Sequence, residues 1–331
     1  MEDFCENRNS EVSNRFDNFQ DAVQLAGQQN GWFTEENIMH AIRQWALLLT
    51  EDNLTQWLSK YVLPKDSKPK TIGIIMAGNI PLVGFHDFLC VLLSGNSVLA
   101  KLSSNDKTLM PFIAEHIMQL EPTLKDRISF TEGRLEDFDA IIATGSNNTS
   151  RYFEYYFGKR PNIIRKNRNS VAILTGHETQ EQLLALGEDV FRYFGLGCRN
   201  VSKIFVPKGY AFEPFFNAFF SYKDTINHHK YANNYDYNKA VYLMSDFKIL
   251  YNGFLILKED ESFSSPIATL FYSHYDSEDA LRQKLEGQME FIQCVVSNGK
   301  YANDVPFGET QKPRLNDYAD GVDTMDFLLR I

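Results

Sequence analysis

From residue 71 onward, short and almost continuous apolar runs alternate with stretches long enough for several helical turns. TIGIIMAG (71–78), SVLAKL (97–102), ISF (128–130) and DAIIATGS (139–146) are the runs of the first half. A strand that is apolar at nearly every position is buried on both faces, which requires helices on each side of its sheet. Between these runs, one helical pattern opens at Pro81 and reaches about Ser94, and a second covers residues 106–119. Proline suits the first position of a helix because its φ is already helical and its missing N–H is not needed there. The alternation resumes with SVAIL (170–174) and a helix over 178–194, with Leu183, Leu186, Val190, Phe191 and Phe194 on one face. SKIFV (202–206) follows as a strand and FEPFFNAFF (212–220) as a helix. Strands and helices in this order build parallel α/β sheets.

The remaining segments are more polar. Residues 1–60 carry helical spacing at Ile38, Ile42, Trp45 and Leu49, and LPKDSKPK (63–70) is a linker with two prolines and three lysines. YKDTINHHKYANNYDYNK (222–239) reads as a long surface connection, and the tail from Pro306 stays polar until Met325–Leu329. A length of 331 residues implies about two domains. A net charge of −10 argues against sequence-independent nucleic-acid binding, which needs a basic face. It leaves room for an anionic cofactor, since a lysine or a helix N-terminus can hold phosphate locally. Cys5, Cys90, Cys198 and Cys294 lack metal-ligand spacing and read as reduced thiols, with no metal site expected. The acidic, polar start MEDFCENRNSEVSNRFDNF is no signal peptide, and no apolar run reaches about 18 residues. A cytoplasmic protein without a membrane span is the expectation.

Four junctions carry candidate chemistry. In AGNIP (77–81), Asn79 either caps the following turn or aims its side-chain amide at an oxyanion. In VLAKLSSND (98–106), Lys101 leaves the sheet where open α/β sheets bind ligands, unless it is only a solvated surface lysine. IIATGSNN (141–148) runs from a strand into Gly145, Ser146 and a helix start, a perch for phosphate. GLGCRN (195–200) resembles half of a dinucleotide fingerprint, but it ends a helix and enters a strand, the reverse of the order a phosphate loop needs. There Gly195 closes the helix, Gly197 leaves space beside the sulfur, and Cys198 is the candidate nucleophile, with Arg199 placed to favour its thiolate. Cys90 and Cys294 sit in apolar surroundings and read as core thiols. His177 and His228–His229 have no partners at ligand spacing, and His86 and Asp87 are adjacent helical positions that do not face each other. Phe191, Phe194 and FEPFFNAFF either pack the core, the plainer reading, or line an acyl channel.

Taken in series, these blocks resemble the aldehyde dehydrogenase superfamily over about residues 65–331. AGNIPLVGFHDFLCVLLSGNSVLAKLSSND (77–106) is similar to its strand, Asn-x-Pro, helix, AGN and VLK-x-S/T block, and DAIIATGSNN to its Phe-Thr-Gly-Ser turn. GLGCRNVSKIFVP (195–207) resembles the catalytic-cysteine turn, ESFSSPIATL (261–270) the Glu-x-Phe-Gly-Pro segment, and VPFGETQKPRL (305–315) the late Pro-Phe-Gly loop. AGNIPLVGFHDFLCVLLSGN and HKYANNYDYNKAVYL (229–243) point to the acyl-CoA reductase branch, similar to the fatty-acid reductase of bacterial luminescence (LuxC type). The resemblance implies an aldehyde-dehydrogenase-like α/β fold, a Rossmann-type parallel-sheet cofactor domain joined to a second α/β catalytic domain. Its parts would be an N-terminal helical segment (1–64), the NAD(P)-binding domain (65–168), the catalytic domain (169–304) and a C-terminal segment (305–331). That last segment would return to the cofactor domain or to an oligomer interface, its end DFLLRI pairing as a strand. The implied activity is NADPH-dependent reduction of an acyl thioester to an aldehyde through an acyl-cysteine, with NADH an open alternative. Cys198 and Asn79 would be catalytic, and Ala77, Gly78, Lys101, Ser103, Ser104, Gly145 and Ser146 would bind cofactor. The acyl donor is acyl-CoA or an acylated carrier or partner enzyme, and a homo-oligomer is implied. Hydrolytic relatives carry a glutamate that activates water; Arg165, Lys166, Asn167 and Arg168 occupy that neighbourhood here without a carboxylate, which favours transfer to and from CoA. Ser104, where NAD-preferring relatives often carry glutamate, leaves room for a 2′-phosphate. The alternatives are ordinary NAD(P)-dependent aldehyde oxidation, or a catalytically idle cofactor-binding partner of an acyl-activating enzyme.

Overall fold

In the computed structural model, which describes residues 10–64, 68–299, 301 and 304–331, the chain forms two compact units. The first comprises residues up to Asn167 together with Arg314–Ile331; the second is Arg168–Pro313. The N-terminal helices are therefore part of the first unit rather than a separate segment. The C-terminal boundary lies at 313/314 instead of 304/305. Cys5 and the middle of the 63–70 linker lie outside the described residues.

The first unit starts with helices α1 (Ser10–Gln29), α2 (Glu35–Leu48) and α3 (Glu51–Leu58). Thr34 and Thr50 cap the second and third, their hydroxyls accepting from Asn37 N and Asn53 N at 3.3 Å. The sheet follows as β1 (Thr71–Ile75), α4 (Phe85–Leu93), β2 (Ser97–Lys101), α5 (Leu109–Leu120), β3 (Ile128–Thr131), β4 (Ala140–Thr144), α6 (Asn147–Phe157) and β5 (Asn162–Arg165). Its strand order is β3-β2-β1-β4-β5, every pair parallel. Ile72, Ile74, Ile141 and Ile142 are fully buried at its centre, as their apolar runs require.

Two helix starts differ from the sequence expectation. Pro81 does not open α4: residues 81–84 form a turn in which Leu82 has φ 58°, and the helix begins at Phe85. The turn folds Gly84 back onto Met76, so closely that a Cβ there would lie 2.8 Å from Met76 Cγ. Helix α5 starts at Leu109 rather than 106 because Asp106 Oδ1 accepts from Leu109 N at 3.3 Å.

The second unit runs β6 (Asn169–Ile173), α7 (Gln180–Phe191), β7 (Val201–Pro207), α8 (Phe212–Phe219), α9 (His229–Met244), β8 (Ile249–Tyr251), β9 (Ile256–Glu259), β10 (Thr269–Tyr275), α10 (Glu278–Glu286), β11 (Ile292–Val296) and β12 (Asp304–Val305). These strands lie in the order β12-β11-β6-β7-β10-β9-β8, with only β8 antiparallel to its neighbour. The polar stretch 222–239 is helical rather than a surface connection: a 3₁₀ segment, Phe220–Asn227, leads into α9. Its inward face is made of Tyr231, Tyr235 and Asn238, which a search for aliphatic periodicity passes over. The C-terminal end belongs to the first unit and is α11 (Thr324–Arg330), not a strand. Asp323 caps it through Asp326 N at 2.9 Å, and Thr324, Met325 and Leu328 are buried.

Candidate active site

Within the first unit, the strand order reverses beside β1: the chain leaves β1 for β2 and β3 on one side, then returns to place β4 and β5 on the other. Ligands of open parallel sheets bind at the carboxyl ends of strands at such a switch point. The loop 76–84 follows β1 there, and Gly145–Ser146 follow β4. The loop after β2 packs against the first of these. Met76 N donates to Lys101 O at 3.0 Å, and a Cβ on Gly78 would lie 2.6 Å from the Cβ and Oγ of Ser103, so the approach needs glycine. Ala77, Gly78, Lys101 and Ser103 are thus brought together, with Ser104 exposed beside them. Lys101 is half-buried, and its ammonium donates to Gly133 O at 2.8 Å. Ser146 caps α6, its Oγ accepting from Thr149 N at 3.2 Å, while a Cβ on Gly145 would lie 2.9 Å from the Phe153 ring. Asn79 is exposed and caps no helix, since α4 begins six residues later behind Gly84.

In the second unit, Cys198 is exposed on the turn that joins α7 to β7. Asn200, the residue that breaks the glycine pattern, builds that turn. Its backbone N–H donates to Gly197 O at 3.0 Å and its Oδ1 accepts from Gly197 N at 2.8 Å. Its Nδ2 donates to Arg192 O at 2.7 Å and Asp189 O at 3.1 Å, satisfying two carbonyls at the end of α7. Ser170 Oγ on β6 fixes the other side, donating to Cys198 O at 3.0 Å. The helix stops at Phe191, short of the expected 194, and Gly195 is not its closing residue. Gly195 (φ 78°) is the third of three successive left-handed residues after Tyr193 (φ 53°) and Phe194 (φ 58°). Arg199 donates through Nε to the Thr310 carbonyl, which ties the nucleophile turn to the 305–310 loop.

Asp189 is the residue that sequence reasoning missed. It is fully buried near the end of α7, and its carboxylate accepts from Gly308 N at 2.7 Å and from Thr310 N and Oγ1 at 2.9 and 2.8 Å. Burial pushes its carboxyl up to about 6, against the pull of those donors. One side chain thus holds the 308–310 loop to the helix, and Thr310 in turn holds Arg199. A carboxylate between Leu186 and Val190, on the apolar face of the helix, is the signal that could have revealed it.

The other sequence candidates have structural places. Burial pushes the Cys90 thiol well up, and Cys294 is buried. His86 is held by the Leu315 carbonyl at 2.9 Å and stacks on Trp57, its imidazole pushed down by burial. His228 caps α9, its Nδ1 accepting from Tyr231 N, and His177 is exposed. Arg165 pairs with buried Asp87. Phe215 and Phe219 are core residues. Among the described residues no group of three or more His, Cys, Asp or Glu side chains could hold a metal, and no helix is long and apolar enough to cross a membrane.

Solved structures share this architecture. Aldehyde dehydrogenase 21 of Physcomitrella patens, solved with the reaction product succinate, matches 97% of this chain and 81% of its own at a TM-score of 0.65 and 12% identity. The Mycobacterium tuberculosis aldehyde dehydrogenase complexed with NAD+ matches 82% and 67% at a TM-score of 0.57 and 14% identity. The NAD+ complex of the Bacillus cereus aldehyde dehydrogenase matches 80% and 65% at 0.57 and 13%. The matches to the last two thus span about two thirds of those chains. At such identity the likeness is one of fold, and the fold is aldehyde-dehydrogenase-like. No curated protein matches in sequence. The acyl-CoA reductase (LuxC) family profile matches residues 8–215, more than half of the chain, which therefore belongs to that family and is an oxidoreductase.

Proposed function

We propose that the protein reduces an acyl thioester to an aldehyde, with Cys198 as the nucleophile and NADPH as the preferred reductant, NADH being the alternative. The observation that carries this reading is the exposed Cys198, held on a turn fixed from three sides by Asn200, Ser170 and Arg199. The Cys198 thiolate attacks the thioester carbonyl; the bond to the CoA sulfur breaks, CoA leaves as a thiolate that takes a proton from solvent, and the acyl group stays on the cysteine. The Cys198 backbone N–H and the Asn79 side-chain amide are proposed to donate to the oxyanion of that step. A nicotinamide cofactor, when bound, supplies the hydride for the reduction. Cys198 then leaves as thiolate when the aldehyde forms.

The donor set at the β1–β4 switch point suits such a cofactor. Lys101 offers a cation, Ser103 and Ser104 offer hydroxyls, and Ser146 opens an eleven-residue helix whose first N–H groups favour phosphate. Ala77, Gly78 and Gly145 keep the backbone close to that place. No carboxylate stands at Ser104, which leaves a 2′-phosphate unopposed. The acyl donor is acyl-CoA or an acylated carrier or partner enzyme. Purified protein mixed with NADPH and acyl-CoAs should lose absorbance at 340 nm and release CoA, and Cys198→Ala should do neither. Full activity in that variant would refute the reading, and no CoA release by the wild type with any acyl-CoA would refute it in favour of an idle cofactor-binding partner.

A further inference from the structure

Both residues that follow Cys198 are anchored on Asp189. The Asp189 backbone carbonyl accepts from Asn200 Nδ2 at 3.1 Å. Its carboxylate accepts from Thr310 N and Oγ1, and the Thr310 carbonyl accepts from Arg199 Nε, so the peptide bond between Arg199 and Asn200 closes a ring. Cys198 is the next residue along the chain. Its own carbonyl accepts from Ser170 Oγ, which in turn accepts from Cys294 N at 3.2 Å. We propose that Asp189 is a positioning residue for the thioester reaction, fixing through this ring the backbone that carries the Cys198 sulfur and N–H; the proposal rests on the thioester-reduction reading above.

The ring needs a carboxylate at 189. Gly308 N, Thr310 N and Thr310 Oγ1 all donate to it, at 2.7, 2.9 and 2.8 Å, and an ionised carboxylate carries acceptors only. An asparagine would accept from Thr310 through Oδ1, but its amide would meet the Gly308 N–H donor to donor. An apolar side chain would leave three buried donors unpaired. The loop also lies directly on α7: a Cβ on Gly308, whose φ is 80°, would sit 3.0 Å from Ala185 Cβ. The carbonyl that holds Arg199 is therefore placed by the bonds that Asp189 makes two residues and one residue away.

What the ring restrains is a backbone under strain. Tyr193 (φ 53°) and Phe194 (φ 58°) are left-handed, a conformation that bulky residues keep only where their surroundings hold it. Asn200 Nδ2 reaches the Arg192 carbonyl at the start of that segment as well as that of Asp189. The nucleophile turn is thus strained before Cys198 and held in place after it. Releasing the hold lets the turn relax away from its attacking geometry, and a displacement of about 1 Å costs on the order of 10²-fold in rate. The loss falls on the reaction step and leaves substrate binding alone.

The test measures kcat and KM for NADPH-dependent reduction of acetyl-, octanoyl- and palmitoyl-CoA by the wild type, Asp189→Asn, Arg199→Gln and the double variant. Thermal melting checks folding, and amide hydrogen exchange read by mass spectrometry follows the segments 195–201 and 305–311. Asp189→Asn should lower kcat by about 10–100-fold with KM within about twofold, and exchange should rise in both segments. The double variant should be no slower than the slower single variant, because Asp189 acts through Arg199. A kcat for Asp189→Asn within twofold of the wild type, losses that multiply in the double variant, or a lowered kcat without faster exchange over 195–201 overturns the positioning role while leaving the reduction reading standing. Reduction of no acyl-CoA by the wild type overturns the reduction reading, and this proposal with it. If Asp189→Asn fails to fold, Thr310→Val, which removes only one bond to the carboxylate, takes its place in the same cycle and decides by the same criteria.

Discussion

Replacing Asp87 by alanine should destabilise the first unit severely. Asp87 lies on α4 and Arg165 at the end of β5, and their side chains are 5% and 8% exposed. The pair is bidentate, with Nη1 on Oδ2 and Nη2 on Oδ1, the latter at 2.8 Å. Nη2 also donates to Thr324 Oγ1 on the C-terminal helix at 3.1 Å, so the guanidinium joins three elements distant in sequence. Without Asp87, the buried guanidinium keeps the Thr324 hydroxyl and the weaker attraction of Asp320 but loses its paired carboxylate, a loss worth about 3–5 kcal/mol. For a unit of this size, each kcal/mol shifts the melting temperature by about 2–4 °C, so a fall on the order of 6–20 °C is expected. Replacing both partners with apolar residues, Asp87→Leu with Arg165→Met, should recover most of that loss, because the pair's desolvation cost disappears with it. The assay is urea unfolding of the two single variants and the double variant, followed by circular dichroism and analysed as a double-mutant cycle. Two units can unfold separately, so the transition that moves must be assigned by a probe in the first unit, such as Trp57 fluorescence. A cost below about 1 kcal/mol for Asp87→Ala, or a double variant no more stable than either single one, would refute the reasoning.

Other outcomes follow from the sites. Limited alkylation with iodoacetamide and peptide mass spectrometry should find Cys198 modified before Cys90 and Cys294, because only it is exposed among the three; earlier labelling of either buried thiol would contradict the burial. Asn79→Ala should lower kcat by about 10²–10³-fold with the melting temperature nearly unchanged, and an unaffected kcat would remove Asn79 from the oxyanion site. Asp189 gives a pH dependence of defined sign. Burial raises its carboxyl from about 3.9 in the unfolded chain to about 6 in the fold. Its folded form therefore binds the proton more tightly than the unfolded chain does. Its contribution is most favourable below about pH 4 and is lost as the pH rises through about 6, a change of about 3 kcal/mol. Asp189→Asn should flatten that part of the stability curve, seen in urea midpoints at pH 4.5 and 7.5; an unaltered slope would assign the dependence to other groups.

How much of this was readable beforehand depends on where each residue's partners lie. TIGIIMAG, DAIIATGS and SVAIL became strands because a two-sided burial pattern is local and needs no knowledge of the neighbour, while SVLAKL, which buries only Val98 and Ala100 fully, is legible from its alternation. Helix α9 was hidden because its buried face is polar in composition. Tyr231 bonds Phe254 O and Asn238 bonds Ile267 O, so those side chains are satisfied by carbonyls 23 and 29 residues away. DFLLRI misled for the opposite reason: its apolar residues suit a strand or a helix, and Asp323 settles the choice by capping. In GLGCRN the position of the thiol was legible from the order of elements, yet the role of Asn200 was not. It looked like a missing glycine, whereas its side chain makes the bonds that a glycine could not make. Asp189 sits furthest from local reading. It is one acidic residue among several on α7, and its partners Gly308 and Thr310 lie 119 and 121 residues away. An ionisable group placed on an apolar helical face must find donors or remain protonated, so its position already required a distant loop to arrive. The loop that arrives is the one that holds Arg199, so the Cys198 turn depends on a contact that no local window contains.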